Sequence, residues 1–299
     1  MARASDADAV VLDSIAAAYI GPWLISSRRR PPLIAILHQP PGGIDHRRFR
    51  TFLQSGLDRL AYRRVAHLIV ASETLVQDLT NAGFDAESIT MIAPGRNVAA
   101  NEEPPGYDLR LGRRAALLSV GNWIERKGIL SLLEAFRRLP QALATLHLVG
   151  DTAADPSYGS RVRAVLSHPD LSGRVVVHGP LSKERVAGMY ACSDIFVLPS
   201  TREPYGTVLG EAMAAGLPVV GVDAGNLPLL ANNQVEGLIV PVEDVEALAH
   251  ALERLCWDDG MRATMGEAAA RRAKSFPTWE ASAERFFALL QHVFERSDV

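Results

Sequence analysis

Thr201 to Gly221 reads TREPYGTVLGEAMAAGLPVVG. Just ahead of it, IFVLPS (195–200) has the unbroken apolar character of a strand buried on both faces, closed by Pro199 and Ser200. Good helix formers follow from Thr207 to Ala215, and Gly216 with Pro218 stops them. VVGV (219–222) opens the next strand. Strand, glycine-containing turn, helix and strand make a βαβ unit whose turn lies at the carboxyl end of a parallel strand. Open α/β sheets bind their ligands there.

Two carboxylates frame this unit, Glu203 in the turn and Glu211 in the helix. Between them the amides of Gly206, Thr207 and Val208 fall at a helix start, where intrahelical partners are lacking and the dipole favours an anion such as phosphate. A carboxylate is a poor phosphate ligand and a good acceptor for neutral hydroxyls. The chemistry therefore asks for a ligand with both phosphate and hydroxyls, and a sugar nucleotide fits. Taken alone, Glu211 would read as an acid stabilising a helix N-terminus and Glu203 as a solvated loop residue.

The wider pattern decides between these readings. PSTREPYGTVLGEAMAAGLPVVG, with seven residues between Glu203 and Glu211, resembles the Glu-x7-Glu motif of the retaining GT-B glycosyltransferases of family 4. The resemblance extends from about residue 33 to the C-terminus. It implies an α/β fold of two Rossmann-like doubly wound domains, an NDP-sugar donor used as substrate with no cofactor, and transfer of the sugar with retention to an unidentified acceptor. It places Glu203 on the donor sugar, Glu211 on the ribose hydroxyls, and Tyr205, Gly206, Thr207 and Val208 around the nucleotide.

At 299 residues the chain is comfortable for two domains. Lys and Arg number 31 against 34 Asp and Glu, a net charge of −3 that gives no footing for nucleic acid. Cys192 and Cys256 sit in helical patterns and read as reduced residues, neither a disulfide nor a metal framework. With no membrane-length apolar run and no charged-then-apolar leader in MARASDADAV, a cytoplasmic location is expected.

In chain order, DAVVLDSIAAAYIGPWL (8–24) reads as a short strand and then a helix. PPLIAILH (31–38) is a second strand, and Arg47 to Val65 is helical by period. HLIVAS (67–72) and SITMIAPG (88–95) are strands flanking a helix that starts at Glu73. The polar link ANEEPPGYD (100–108) divides the chain, so residues 1–108 form the first domain and 109–275 the second. Beyond the link, strands at 116–121, 146–150, 175–178, 195–199, 219–222 and 237–240 alternate with helical patterns, a complete doubly wound half. Residues 276–299 hold an amphipathic helix. The family would send it back to the first domain; local packing on the second domain is the alternative.

The first half shows four strands where a full half would show about six, and the family's first strand and following Gly-rich loop have no counterpart before Ala9. The expectation is a shortened first domain, or a chain whose recorded start is internal to a longer protein.

Further constellations follow the second-domain strands. SVGNWIERKGI (119–129) has Gly121, Lys127 and Gly128 where the family holds the donor diphosphate. Asn122 stands where Arg is common, so that contact is weakened or moved to Arg126. In HGPLSKE (178–184), Gly179, Pro180 and Leu181 match the family's base-reading position, and a turn with Ser182 capping the next helix explains the same residues. DAGNLPLL (223–230) receives no carboxylate role, since Pro228 and Leu229 stand near where many members carry Glu. His38 before QPPGG matches a histidine near the transferred sugar, and a strand-end histidine is also often structural.

Residues 28–64 carry nine arginines and two acids. Such a segment suits peripheral contact with an anionic membrane, or is simply a solvated helical face. The reading that results is a metal-independent retaining glycosyltransferase with Glu203, Lys127 and His38 as catalytic candidates. The alternative is a nucleotide-sugar-binding protein that is inactive alone, or a fragment needing an upstream segment or a partner. A Rossmann NAD(P) enzyme is disfavoured because no G-x-G-x-x-G follows the first strand of either half.

Overall fold

The structure, a computed structural model, describes residues 9–14, 32–43, 48–96, 106 and 108–297, with 48–53 and 296–297 by backbone alone. Two compact units result, residues 1–95 with 277–299, and residues 96–276.

The first unit holds a four-stranded parallel sheet in the order β1 (Val10–Asp13), β2 (Leu33–Leu37), β3 (His67–Val70), β4 (Ile89–Met91). Helices α1 (Arg48–Tyr62) and α2 (Glu73–Asn81) connect them. Ser72 caps α2 by accepting from the Leu75 amide at 3.4 Å. The helix expected after β1, ending near Gly21–Pro22, lies outside the described residues.

The C-terminal helix, called α10 below (Trp279–Ser297), belongs to this unit. Its Val293 packs with Ile34 and Ile69 on one sheet face, and the Ser282 hydroxyl donates to the Ala93 carbonyl at 2.7 Å. Packing a stripe of Phe286, Leu289, Leu290 and Val293 on β2 and β3 removes apolar surface from water at about 25 cal/mol per Å².

The second unit is a six-stranded parallel sheet. In chain order its strands are β5 (Ala115–Val120), β6 (Ala144–Val149), β7 (Val175–Gly179), β8 (Ile195–Leu198), β9 (Val219–Val222) and β10 (Gly237–Val240). In space they run β10-β9-β8-β5-β6-β7. Alternate residues of each strand feed opposite faces, so Leu117 and Leu146 enter one core while Leu118 and Val149 enter the other. The helices are α3 (Ile129–Arg137), α4 (Pro156–Leu166), α5 (Lys183–Cys192), α6 (Thr207–Ala214), the single turn α7 (Leu227–Leu230), α8 (Val245–Trp257) and α9 (Asp259–Ala273).

The sequence reading did not single out α4 and α9, though each is announced by an aspartate cap. Asp155 accepts from the Ser157 and Tyr158 amides and Asp258 from the Met261 amide. The loop expected over 223–230 contains α7. Strand order reverses between β5 and β8, and the crevice beyond their carboxyl ends is the switch point of a doubly wound sheet.

Candidate functional site

Two loops meet at that switch point. The one after β5 closes in a short 3₁₀ turn (Glu125–Lys127), then Gly128 in the left-handed region (φ 69°). A Cβ at Gly128 would fall inside the van der Waals radius of the Pro199 carbonyl oxygen, so only glycine lets this loop press against the end of β8. The Thr201 amide completes the junction by donating to the Arg126 carbonyl at 2.9 Å.

This brings three side chains together. Lys127 Nζ donates to Glu203 Oε2 at 2.5 Å, with both side chains 11% exposed, and Arg126 Nη1 stands 3.8 Å from the same oxygen. Arg126 also donates to the Arg202 carbonyl at 3.0 Å. The Lys127 stem lies along Gly121, where a Cβ would press on its Cδ and Cε. Gly121, Arg126 and Lys127, anticipated around a diphosphate, and Glu203, anticipated on the donor sugar, therefore share one small volume. Asn122 is engaged elsewhere: its Oδ1 accepts from the Asp151 amide at 3.1 Å, tying the β5 loop to the β6 loop.

Gly206 caps α6 in the left-handed region (φ 91°), and no side chain caps the helix. The first-turn amides, those of Thr207 and Val208 among them, thus carry the positive end of the dipole toward the Glu203 turn. The Tyr205 phenol is pushed up by burial, and its backbone carbonyl accepts from Asn226 Nδ2 at 2.6 Å. Asn226 is buried, and its own amide donates to the Glu203 carbonyl at 2.9 Å. Gly225, at φ 58°, lies so close to the Glu203 backbone that a Cβ would collide with it. The 223–226 loop is therefore the clamp that holds the Glu203–Tyr205 turn. Sequence reasoning missed Asn226; its signal was a glycine-containing loop at a strand's carboxyl end.

Glu211, half-buried in the second turn of α6, accepts from the Tyr190 hydroxyl at 3.3 Å. Tyr190 was not anticipated either. Gly179, Pro180 and Leu181 form the turn between β7 and α5. Gly179 is left-handed (φ 68°) with open space around it, its carbonyl accepts from the Gly150 amide at 3.0 Å, and Ser182 caps α5. Leu181 lines a small hollow of 80 Å³ with Leu109, His178, Arg185 and Met189.

His38 lies in the first unit, at the carboxyl end of β2. Its Nε2 is 3.0 Å from Asp13 Oδ2 at the end of β1, and both side chains are about half exposed. Asp58, one of the two acids in the basic segment 28–64, is buried. It accepts from the Gly42 amide and from Gln54 Nε2, both at 2.9 Å, fastening the loop after His38. Of the nine arginines in 28–64, Arg28, Arg29, Arg30 and Arg47 lie outside the described residues. Arg59, Arg63 and Arg64 are exposed on and after α1, as are Leu57 and Leu60. Among the described residues no helix is long and apolar enough to cross a membrane. Neither Cys192 nor Cys256 is in a disulfide, and burial pushes the Cys256 thiol up to about 12.

The family model described as glycosyl transferases group 1 matches residues 109–272, and that described as glycosyl transferase 4-like domain matches residues 1–95. The D-inositol 3-phosphate glycosyltransferase of Corynebacterium jeikeium is 32% identical over 243 residues, covering 76% of this chain and 57% of that protein. The protein of the same name from Xylanimonas cellulosilytica is 27% identical over 281 residues, 87% of this chain and 66% of that one. The chain thus spans between half and two-thirds of the length of these relatives. Sucrose-phosphate synthase from Thermosynechococcus elongatus superposes with a TM-score of 0.82 at 24% identity, over 97% of this chain and 74% of that one. HepE of Anabaena, in complex with UDP-glucose, gives 0.82 at 22%, over 95% and 79%. These likenesses show the fold.

Proposed function

Because this chain belongs to the glycosyl transferases group 1 family, we propose that it transfers a sugar from an NDP-sugar to an acceptor with retention at the anomeric carbon. The observation that carries the reading is Lys127 and Glu203 side by side at the switch point, next to the uncapped start of α6. A cation and a dipole suit a diphosphate, and a carboxylate suits the hydroxyls of the attached sugar.

In the reaction proposed, Lys127, Arg126 and the first-turn amides of α6 hold the diphosphate and stabilise the charge that develops on it. The helix dipole and Lys127 can neutralise the leaving diphosphate, so the reaction proposed is metal-independent. Glu203 holds the donor sugar and Glu211 the ribose diol. The bond from the anomeric carbon to the β-phosphate oxygen breaks, and the diphosphate leaves with the electron pair. The oxocarbenium-like sugar is attacked by an acceptor hydroxyl on the same face, whose proton passes to the departing diphosphate oxygen. The family resemblance assigns His38, whose Nε2 is 3.0 Å from Asp13 Oδ2, to the transferred sugar or the acceptor.

Thermal shift with UDP, GDP and ADP tests this. A ligand at a hundredfold excess over its dissociation constant stabilises by about 2.7 kcal/mol, and EDTA leaves the gain intact. If no nucleoside diphosphate raises the melting temperature, the assignment fails. Stabilisation by a nucleotide sugar that is neither hydrolysed nor transferred favours the second reading, a binding protein inactive alone.

A peripheral membrane contact is proposed for the end of α1 and the residues after it, where exposed Leu57 and Leu60 lie near exposed Arg59, Arg63 and Arg64. Co-sedimentation with anionic vesicles that is lost in Leu57→Asp/Leu60→Asp supports it. Equal recovery with neutral vesicles counts against it.

A further inference from the structure

We propose that Tyr190 is a positioning residue for Glu211, setting that carboxylate so that the site distinguishes a ribose diol from its 2′-deoxy counterpart. The inference rests on the nucleotide-sugar reading above.

Tyr190 comes from α5, is 4% exposed, and sends its hydroxyl between two acceptors of α6. These are the Val208 carbonyl and Glu211 Oε2, each at 3.3 Å. They lie three residues apart, on one face of the helix. A phenol has one proton to share between them. Its ring leans on Phe196 of β8, with centroids 5.8 Å apart and planes at 57°, so the hydroxyl is held from the floor of the sheet. Burial and the charge of Glu211 both push the phenol well above its ordinary range, so Tyr190 acts only as a protonated donor.

The consequence falls on Glu211. The last torsion of a glutamate is broad, so an untethered carboxylate turns freely. With Oε2 tied to Tyr190, the direction of the carboxylate plane is set. A vicinal diol needs two acceptor directions at once, whereas a single hydroxyl is satisfied by one. A fixed plane therefore helps the diol more than the lone hydroxyl. The hydroxyl of Tyr190 contributes discrimination, while Glu211 itself contributes binding.

Calorimetry on the full chain tests this with UDP against 2′-deoxy-UDP, and GDP against 2′-deoxy-GDP. The unaltered chain binds the ribonucleotide more tightly. Tyr190→Phe narrows that ratio about three- to tenfold, chiefly by weakening the ribonucleotide. Glu211→Ala removes the ratio, and adding Tyr190→Phe to it changes nothing more. Because the ratio compares two ligands on one protein, a general loss of stability in Tyr190→Phe does not move it. If Tyr190→Phe weakens both ligands equally, or leaves the ratio unchanged, the positioning role is overturned alone. If the unaltered chain binds neither nucleotide, the proposed function falls and takes this inference with it.

Discussion

Lys127 Nζ and Glu203 Oε2 stand 2.5 Å apart although 76 residues separate them in the chain. Each side chain is 11% exposed, so the pair is screened little by solvent. The two groups that would hold phosphate and sugar thus already satisfy one another. A donor entering this volume competes with that contact, while Arg126 at 3.8 Å supplies a second cation to share. Net positive charge remains for an anion.

The pair is expected to behave as a unit. Lys127→Ala and Glu203→Ala each destabilise, since each leaves a largely buried charge short of its partner. The double variant loses less than the sum, with a coupling of about 0.5–3 kcal/mol in urea unfolding. Strict additivity would mean that the contact contributes nothing.

Under the proposed function the two glutamates divide the ligand. Glu211→Ala weakens nucleoside diphosphate binding about ten- to hundredfold, the loss of a charged hydrogen bond worth about 1.5–3 kcal/mol. Glu203→Ala spares the free nucleotide and weakens the intact sugar nucleotide. Calorimetry that finds equal losses for both ligands in both variants contradicts this division.

Gly128 is required by geometry. Gly128→Ala meets both the left-handed backbone and the Pro199 carbonyl, whereas Gly173→Ala, at a similar φ of 67°, meets open space. Both lose about 1 kcal/mol or more from the backbone. The further loss in Gly128→Ala measures the steric part, and it is accompanied by weaker diphosphate binding as Lys127 shifts. Equal melting temperatures for the two variants would refute the close-approach argument.

A pH dependence follows from His147 and His178. The His147 Nε2–H donates to the Leu109 carbonyl at 2.7 Å, so in the neutral ring Nδ1 accepts from His178 Nε2–H at 3.0 Å. Burial holds both rings below the ordinary value of 6.5, and for His178 the neighbouring His147 and Arg185 add to it. The unfolded chain binds these protons more readily than the folded one. Their contribution is therefore full above about pH 6.5 and is lost as pH falls from there through the lowered folded values. Melting temperature should decline across that window, and His178→Gln should flatten the decline. A flat profile from pH 8 to pH 5 in the unaltered chain would contradict it.

The elements are written locally in the chain. Continuous apolar runs, glycine and proline stops and short capping residues act within about ten residues of chain, so ten strands and most helices could be read where they occur. Local chemistry likewise marked the start of α6 as a place for an anion, whereas Glu203 and Lys127 were singled out by the resemblance to the family, since each taken alone reads as an ordinary loop residue. Tertiary structure alone decided who meets whom. The reversal between β5 and β8, the seating of α10 on β2 and β3, the grip of Asn226 on the Glu203 turn and the reach of Tyr190 to Glu211 all join residues distant in sequence. Periodicity gives each strand a face to bury without specifying a neighbour. The neighbour is settled when the sheet as a whole covers its apolar faces and pairs its backbone, and only then do two separate loops become one site.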